Sequence, residues 1–248
     1  MAAHRVRPPA TAVVPLLALA PMALLVLQGR GVRARTPRLP EAAGPRSGLA
    51  PADDGGGGTL RLLVLGESTA AGVGVSEQRD GLAGSLAREL ALRRGVAVAW
   101  TVCARTGATA QRTARELLPG AATGQDLAVV VLGVNDTLRL RGARRWSCHI
   151  GQVLDGLAPR LAPGGLVVLT GVPDLGAFPL LPQPLRAVLG RRARALDRRL
   201  DGLAAARPGL LHVPGPPVTG AAVFAVDGFH PNAEAYAQWA SHLAAAVG

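Results

Sequence analysis

Three residue types that together carry out nucleophilic catalysis occur at two distant places in this chain of 248 residues. Ser68 follows a short apolar run, and Asp227 and His230 lie close together near the C-terminus. A serine hydroxyl is a weak nucleophile unless an imidazole takes its proton and a carboxylate orients that imidazole. The chain therefore carries candidates for a nucleophile, a base and an orienting acid.

Two further segments could stabilise the negative charge that such chemistry develops. They read Arg-Thr-Gly at 105–107 and Gly-Val-Asn-Asp at 133–136, and each follows a predicted strand. Gly107 would offer a backbone N–H that no side chain obstructs, and Asn135 would offer an amide; these are parts of an oxyanion hole. Asp136 is predicted to fix its loop rather than to perform chemistry.

Each candidate also has an ordinary structural explanation. A lone serine after Gly-x is most often a turn or N-cap residue, and Asn135 could end its strand in an Asx-turn. Asp227 and the glycine after it favour a turn, while Asn232 would cap the last helix; both roles are compatible with catalysis. The remaining histidines lack an acidic companion of this kind and are assigned no function: His4, His149, His212 and His242.

The apolar pattern from Thr59 onwards predicts the elements that position these residues. Continuous apolar runs predict five strands, at 60–65, 96–102, 127–132, 166–170 and 210–213. Helical patterns lie at 77–94, at 109–118, within 144–161, at 185–206 and at 233–246. Buried strands alternating with helices predict an α/β fold with a parallel sheet covered on both faces. Ligands bind at the carboxyl ends of such strands, where all four candidate segments are expected.

Taken together, the four segments resemble the blocks of the SGNH (GDSL-type) hydrolase superfamily, and a proline-rich stretch at 178–186 resembles a bacterial, actinobacterial-like subgroup. The blocks match at 66–68, 107, 133–136 and 227–231, within a region from about residue 60 to the C-terminus. The resemblance implies a flavodoxin-like three-layer α/β/α sandwich with a five-stranded parallel sheet. Glu67 is a departure, because the family usually has aspartate there.

The same resemblance implies roles for the site residues. Ser68 would be the nucleophile, His230 the base and Asp227 its orienting acid, with the oxyanion hole formed by the N–H groups of Ser68 and Gly107 and the amide of Asn135. The expected activity is hydrolysis of a small-molecule or lipid ester without a metal or an organic cofactor. The proline-rich segment at 173–184 is expected to wall the substrate pocket because of its position in the chain.

Two other interpretations compete with this one. An α/β-hydrolase would also present serine, aspartate and histidine in this order, but it has glycine where this chain has Ala70, and it needs several strands before the nucleophile. The second alternative is a membrane-tethered binding domain that kept the fold and lost its chemistry, which fold alone never excludes.

The composition excludes some classes of function. The formal net charge is +11, yet every basic residue is arginine and the arginines are spread along a chain with only 3% aromatic residues. This is not the basic, aromatic-rich surface of a nucleic-acid-binding protein. Cys103 and Cys148 permit one disulfide without specifying it, and their spacing does not indicate a zinc site.

The N-terminal quarter predicts two segments ahead of the catalytic domain. Residues 1–30 include an uncharged, largely aliphatic stretch that is long enough to cross a bilayer as a helix, and a membrane anchor is predicted there; a signal peptide, and hence secretion, is the alternative. Residues 31–58, rich in proline, alanine and glycine, are predicted to be a flexible linker. The hydrolase domain is then expected at 59–248. Sidedness and oligomeric state stay open.

Overall fold

A computed structural model describes residues 19–52, 57–215 and 220–247. The chain divides into two units, Met1–Arg35 and Thr36–Gly248. The described part of the first unit is one helix, α1, at Leu19–Arg35. All other elements belong to the second unit.

The predicted membrane segment at 1–30 falls largely outside the described residues. Helix α1, described from Leu19, covers its last part. Among the helices of the described ranges, none combines the length and the apolar character that a membrane span requires. The prediction of a membrane anchor therefore finds no support in the structure.

A single mixed sheet forms the centre of the second unit. Its described strands are β1 (Ser47–Ala50), β2 (Thr59–Gly66), β3 (Ala97–Ala104), β4 (Gln125–Val131), β5 (Leu161–Thr170) and β6 (Leu210–Val213). They lie in the order β1-β3-β2-β4-β5-β6. Strands β2 to β6 are parallel, as predicted, and β1 runs antiparallel to β3 at one edge.

Helices connect the strands and cover the sheet. They are α2 (Leu82–Arg94), α3 (Ala110–Arg112), α4 (Val134–Leu138), α5 (Ala143–Leu157), α6 (Leu185–Ala205) and α7 (Ala233–Val247). The predicted helix at 77–94 is broken at Gly81, after a 3-10 turn at Gln78–Asp80. The predicted helix at 109–118 is only one α-helical turn, α3, which continues as a π-helical stretch at Thr113–Leu117.

Both faces of the sheet are buried. On one face, Leu62 and Val64 of β2 pack with α2 and with α7, where Tyr236 is fully buried. Side chains alternate along a strand, so Leu63 and Leu65 point to the opposite face, and they are also fully buried. Helices α5 and α6 contact each other and supply the buried apolar side chains of this second layer. The expected α/β fold, a mostly parallel sheet between helices, is confirmed.

The predicted linker at 31–58 needs correction, because much of it is part of the folded unit. Strand β1 pairs with β3 from Ser47 to Ala50, and Gln78 donates its amide to the carbonyl of Ala42 over 3.0 Å. The composition did not predict strand β1, because an edge strand is held by backbone hydrogen bonds and needs few apolar side chains. Gly48 lies against the Trp100 indole, where any Cβ would come within 2.6 Å of the ring.

The strand order creates a cleft where the candidate residues lie. The chain passes from β2 to β3 on one side and then to β4 on the other side of β2. Such a reversal opens a crevice at the carboxyl ends of the two central strands. Gly66, the last residue of β2, is level with Ala104 of β3 and with Val131 of β4. The loops after these three strands therefore start at the same height.

Deleting the segment before β2 should destabilise the folded unit. We expect a chain that starts at Thr59 to melt about 4–8 °C lower than one that starts at Thr36, because roughly 2 kcal/mol of unfolding free energy shifts the melting temperature of a domain this size by that amount. The loss comes from the β1 ladder and the hydrogen bond between Gln78 and Ala42. Thermal unfolding followed by circular dichroism measures it, and equal melting temperatures would restore the flexible-linker interpretation.

Candidate active site

Ser68, His230 and Asp227 form one line of hydrogen bonds across the cleft. The Ser68 hydroxyl lies 2.9 Å from Nε2 of His230, although the two residues are 162 positions apart in the chain. Nδ1 of His230 donates to Oδ2 of Asp227 over 2.6 Å. An ionised carboxylate can only accept, so this contact assigns the imidazole proton to Nδ1 and leaves the lone pair of Nε2 to the serine hydroxyl.

The loop that carries Asp227 and His230 is held by the same carboxylate. Oδ1 of Asp227 accepts the backbone N–H groups of Phe229 and His230 over 2.9 and 3.0 Å. Asn232 caps α7, because its side-chain oxygen accepts the N–H of Ala235 over 2.9 Å. The turn and cap expected on structural grounds therefore coexist with the contact between the aspartate and the histidine.

The Asp227 carboxyl is adapted to stay ionised although it is almost fully buried. Burial alone would raise its pKa, but the hydrogen bonds from the His230 ring and from the backbone N–H groups of His230 and Phe229 outweigh burial, and the pKa is lowered. This carboxylate beside Nδ1 holds the ring in the orientation and tautomer that turn the lone pair of Nε2 towards Ser68.

Tyr236, the chain's single tyrosine, anchors the loop after Ser68. Its hydroxyl lies 2.7 Å from the carbonyl oxygen of Val73 and 3.1 Å from that of Thr69. The N–H of Val73 in turn donates to the carbonyl of Ser68 over 3.0 Å. Helix α7 thus holds the loop after Ser68 in place. Sequence reasoning missed this residue, because nothing in the local pattern links position 236 to position 69.

Gly107 lies in the loop after β3 with φ of 77°, in the left-handed region that favours glycine. A Cβ at this position would meet none of the described atoms within 4 Å. The structure therefore gives a conformational reason for glycine here. The close approach of a ligand to its backbone stays a prediction.

The side chains of Asn135 and Glu67 are in contact beside Ser68, and Glu67 makes hydrogen bonds that the sequence did not predict. Oε1 of Glu67 accepts the N–H of Val134, and Oε2 accepts the N–H of Asn135, each over 2.9 Å. The Asn135 amide also donates to Oε2, over 2.5 Å. An asparagine amide carries two N–H bonds, so one is held by Glu67 and the second can serve another acceptor.

Asp136 joins the loop that carries Gly107 to the loop that carries Asn135, which confirms the structural role predicted for it. It is fully buried, and its Oδ2 accepts the N–H of Ala110, at the start of α3, over 2.9 Å. Burial raises the pKa of Asp136, while the Ala110 hydrogen bond and the Arg141 charge act in the opposite direction. The loop with Gly107 and the loop with Asn135 are thereby fixed to each other.

Among the carboxyls of the cleft, Glu67 has the largest shift in pKa. Burial raises its pKa to about 7, assisted by the nearby charge of Asp136 and opposed by the hydrogen bonds from Asn135 and Val134. The sequence marked this position only as a departure from the family pattern. Its contacts could not be found from spacing, because they depend on the alignment of β2 with β4.

A small apolar pocket opens beside Ser68 and His230. Its volume is about 100 Å³, and its wall includes Pro173 and Phe178 of the proline-rich segment, as expected from the sequence. The chain has three phenylalanines, and all three line this pocket. The ring of Phe178 lies 4.9 Å from that of Phe224 and 5.4 Å from that of Phe229, and Phe229 packs edge-on against the imidazole of His230.

His212, which the sequence analysis assigned no function, has structural partners. His212 lies 3.0 Å from Asp197, whose carboxylate also accepts the N–H of Val172, so this pair joins α6 to the ends of β5 and β6. Cys103 and Cys148 are free thiols. Within the described ranges, no group of three or more His, Cys, Asp or Glu side chains could hold a metal ion.

Comparison with known proteins identifies the family. A model of the GDSL-like lipase/acylhydrolase family matches residues 64–238. The chain belongs to this family. A GDSL-like esterase of Mycobacterium tuberculosis is 31% identical over 186 residues, which cover 72% of this chain and 58% of the relative. The chain thus spans somewhat more than half the length of that relative, and the predicted resemblance is confirmed.

Solved structures of GDSL-type and other esterases share the fold. A lipase from a goat rumen metagenome aligns with a TM-score of 0.61 at 18% identity, over 75% of this chain and 97% of the other. A carbohydrate acetylesterase of Sinorhizobium meliloti aligns with 0.56 at 15% identity, over 76% and 98%. An aryl esterase of Mycobacterium smegmatis aligns with 0.54 at 16% identity, over 76% and 98%. The α/β-hydrolase alternative finds no support.

The lowered pKa of Asp227 predicts that its contribution to stability depends on pH. A carboxyl whose pKa is lowered by folding stabilises the folded state above its unfolded pKa, and this contribution is lost as the pH falls through the folded value. We expect Asp227→Asn to melt below the wild type at pH 7 and the difference to shrink as the pH falls from 5 towards 3. Melting curves of both proteins test this, and a difference that is independent of pH would contradict it.

Proposed function

We propose that this member of the GDSL-like family is a serine ester hydrolase that works through an acyl-enzyme. The observation that carries the proposal is the continuous hydrogen-bond line from Asp227 through His230 to Ser68, with contacts of 2.6 and 2.9 Å. These distances are within hydrogen-bond reach for a nucleophile, its base and the group that orients the base.

In the first half-reaction, Oγ of Ser68 attacks the ester carbonyl carbon while Nε2 of His230 takes the hydroxyl proton. Asp227 stabilises the imidazolium that forms. The negative charge on the former carbonyl oxygen is met by the N–H groups of Ser68 and Gly107 and by the Asn135 amide. When the carbon–oxygen bond to the alcohol breaks, His230 returns the proton to the leaving oxygen and Ser68 remains acylated.

In the second half-reaction, a water molecule replaces the alcohol. His230 takes a proton from the water, whose oxygen attacks the acyl carbon, and the same donors hold the second oxyanion. The bond to Oγ of Ser68 then breaks, the proton passes from His230 to the serine oxygen, and the carboxylic acid leaves. Every step uses groups of the chain, the ester and water.

The pocket supports a preference for a small apolar group on the ester. A volume of about 100 Å³ lies below the range of about 300–1,000 Å³ typical of pockets for drug-sized ligands. Its phenylalanine wall offers dispersion contacts and no hydrogen bonds to the part of the substrate that lies there. We infer that a short acyl chain or a single ring fits, and that a long chain must extend out of the pocket.

Replacement of the nucleophile tests the reaction. We expect Ser68→Ala to lower kcat for p-nitrophenyl acetate by about 10⁴ to 10⁶, the usual loss when one member of a triad is removed. Ser241→Ala is the matched control, since that hydroxyl lies on α7 and accepts a hydrogen bond from the exposed Arg93 of α2. Initial rates measured by release of p-nitrophenolate decide the matter. If Ser68→Ala keeps the wild-type rate, the proposal fails, and the inactive binding domain becomes the better interpretation.

Enlarging the pocket should change the acyl preference. We expect Phe224→Ala to raise the ratio of kcat/KM for an octanoyl ester over that for an acetyl ester by about tenfold or more, since one methylene in an apolar pocket is worth roughly 10–200-fold. Val226→Ala is the control, because Val226 is 87% exposed and does not line the pocket. An unchanged ratio in Phe224→Ala would remove these rings from the substrate site.

A further inference from the structure

We propose that Glu67 is the positioning residue of the oxyanion hole, and that it acts by holding the amide of Asn135 in place. This rests on the proposed ester hydrolysis, since an oxyanion must form for the position of the amide to matter. Glu67 does not touch the reacting atoms in this scheme. It commits one N–H of the Asn135 amide, and the planar amide then directs the second N–H.

Three donors converge on this one carboxyl. They are the backbone N–H groups of Val134 and Asn135 and the side-chain N–H of Asn135. Because each contact supplies a proton to an oxygen of Glu67, the arrangement suits the ionised form, and a proton on either oxygen would face a donor. One of these bonds holds the side-chain amide and the other two hold the backbone that carries it, so the amide has little freedom to rotate.

Glu67, which holds the Asn135 amide, is also the chain neighbour of Ser68. Glu67 directly precedes Ser68, and its own N–H donates to the carbonyl of Val131 over 3.1 Å. Its backbone is thus fixed to the end of β4 and its side chain to the first turn of α4. The Ser68 hydroxyl and the Asn135 amide therefore share one attachment, and a change at Glu67 alters their relative position.

The surroundings of Glu67 raise its pKa towards neutral pH. The carboxyl is 2% exposed, the charge of Asp136 on α4 acts on it, and His230 lines the same pocket. Burial raises the pKa of Glu67 to about 7, so a fraction of the protein carries a proton there at neutral pH. That proton removes hydrogen bonds that hold Asn135, and the oxyanion hole loses alignment as the pH falls.

A double-mutant cycle tests the coupling through Asn135. We expect Glu67→Gln to lower kcat about 10- to 100-fold with KM changed less than about twofold, because the affected contact forms in the transition state. Asn135→Ala should cost about 10² to 10³. The double variant should be no slower than Asn135→Ala alone, because Glu67 has then no amide to hold. Multiplying losses would overturn the proposal.

The pH dependence separates positioning from a purely structural effect. The ratio of kcat between the wild type and Glu67→Gln should be largest above about pH 8 and shrink as the pH falls through the Glu67 pKa of about 7. A ratio that is constant with pH would contradict the proposal.

Matched variants complete the experiment. Glu67→Asp keeps the charge, and we expect it to retain more of the wild-type kcat than Glu67→Gln. Glu77→Gln removes an exposed carboxylate that pairs with Arg79, and it should leave kcat unchanged. If Glu67→Gln does not fold, Glu67→Asp takes its place in the cycle, and its double variant with Asn135→Ala should be no slower than Asn135→Ala alone.

The outcomes also distinguish this proposal from the proposed function. If the wild type is inactive on every ester, or Ser68→Ala is as active as the wild type, the hydrolase assignment fails. If Ser68→Ala abolishes turnover while Glu67→Gln keeps the wild-type kcat, the hydrolase assignment stands and the role of Glu67 is wrong.

Discussion

The close approach of β2 and β4 at Gly66 is the constraint on which the cleft depends. A Cβ at this position would come within 2.1 Å of the Val131 carbonyl oxygen, so only glycine allows the two strands to meet here. The strands remain paired up to the last residue before Glu67 and Ser68. As a result, the serine leaves the sheet where the Asn135 loop begins, and no long flexible connection separates them.

Buried carboxylates hold the loops around this point. Asp227 fixes its own turn with one oxygen and the imidazole of His230 with the other. Glu67 ties the end of β2 to the start of α4, and Asp136 ties that segment to the start of α3. Burying these charges carries a desolvation penalty, which the N–H donors offset. The cleft therefore depends on charge-assisted hydrogen bonds at the sheet edge, above a core that is aliphatic.

Much of the fold followed from the pattern of apolar residues. Buried parallel strands are continuous apolar runs, and β2 to β6 were all predicted within a few residues, except that β5 begins five positions earlier than its apolar run at Leu166. Strand β1 was missed, because its pairing with β3 uses backbone groups that every sequence possesses. The break at Gly81 and the short α3 were missed as well, since both depend on what the rest of the fold packs against them.

The sequence by itself determined the chemical groups proposed for the cleft: a serine, a histidine with an aspartate three residues earlier, and a glycine and an asparagine after strand ends. Only the tertiary structure decided how they are held. The hydrogen bonds from Asn135 to Glu67 and from Tyr236 to the loop after Ser68, and the cluster of three phenylalanines, join residues far apart in the chain. Local spacing carries no information about such contacts, because strand register and helix packing set the distances between them.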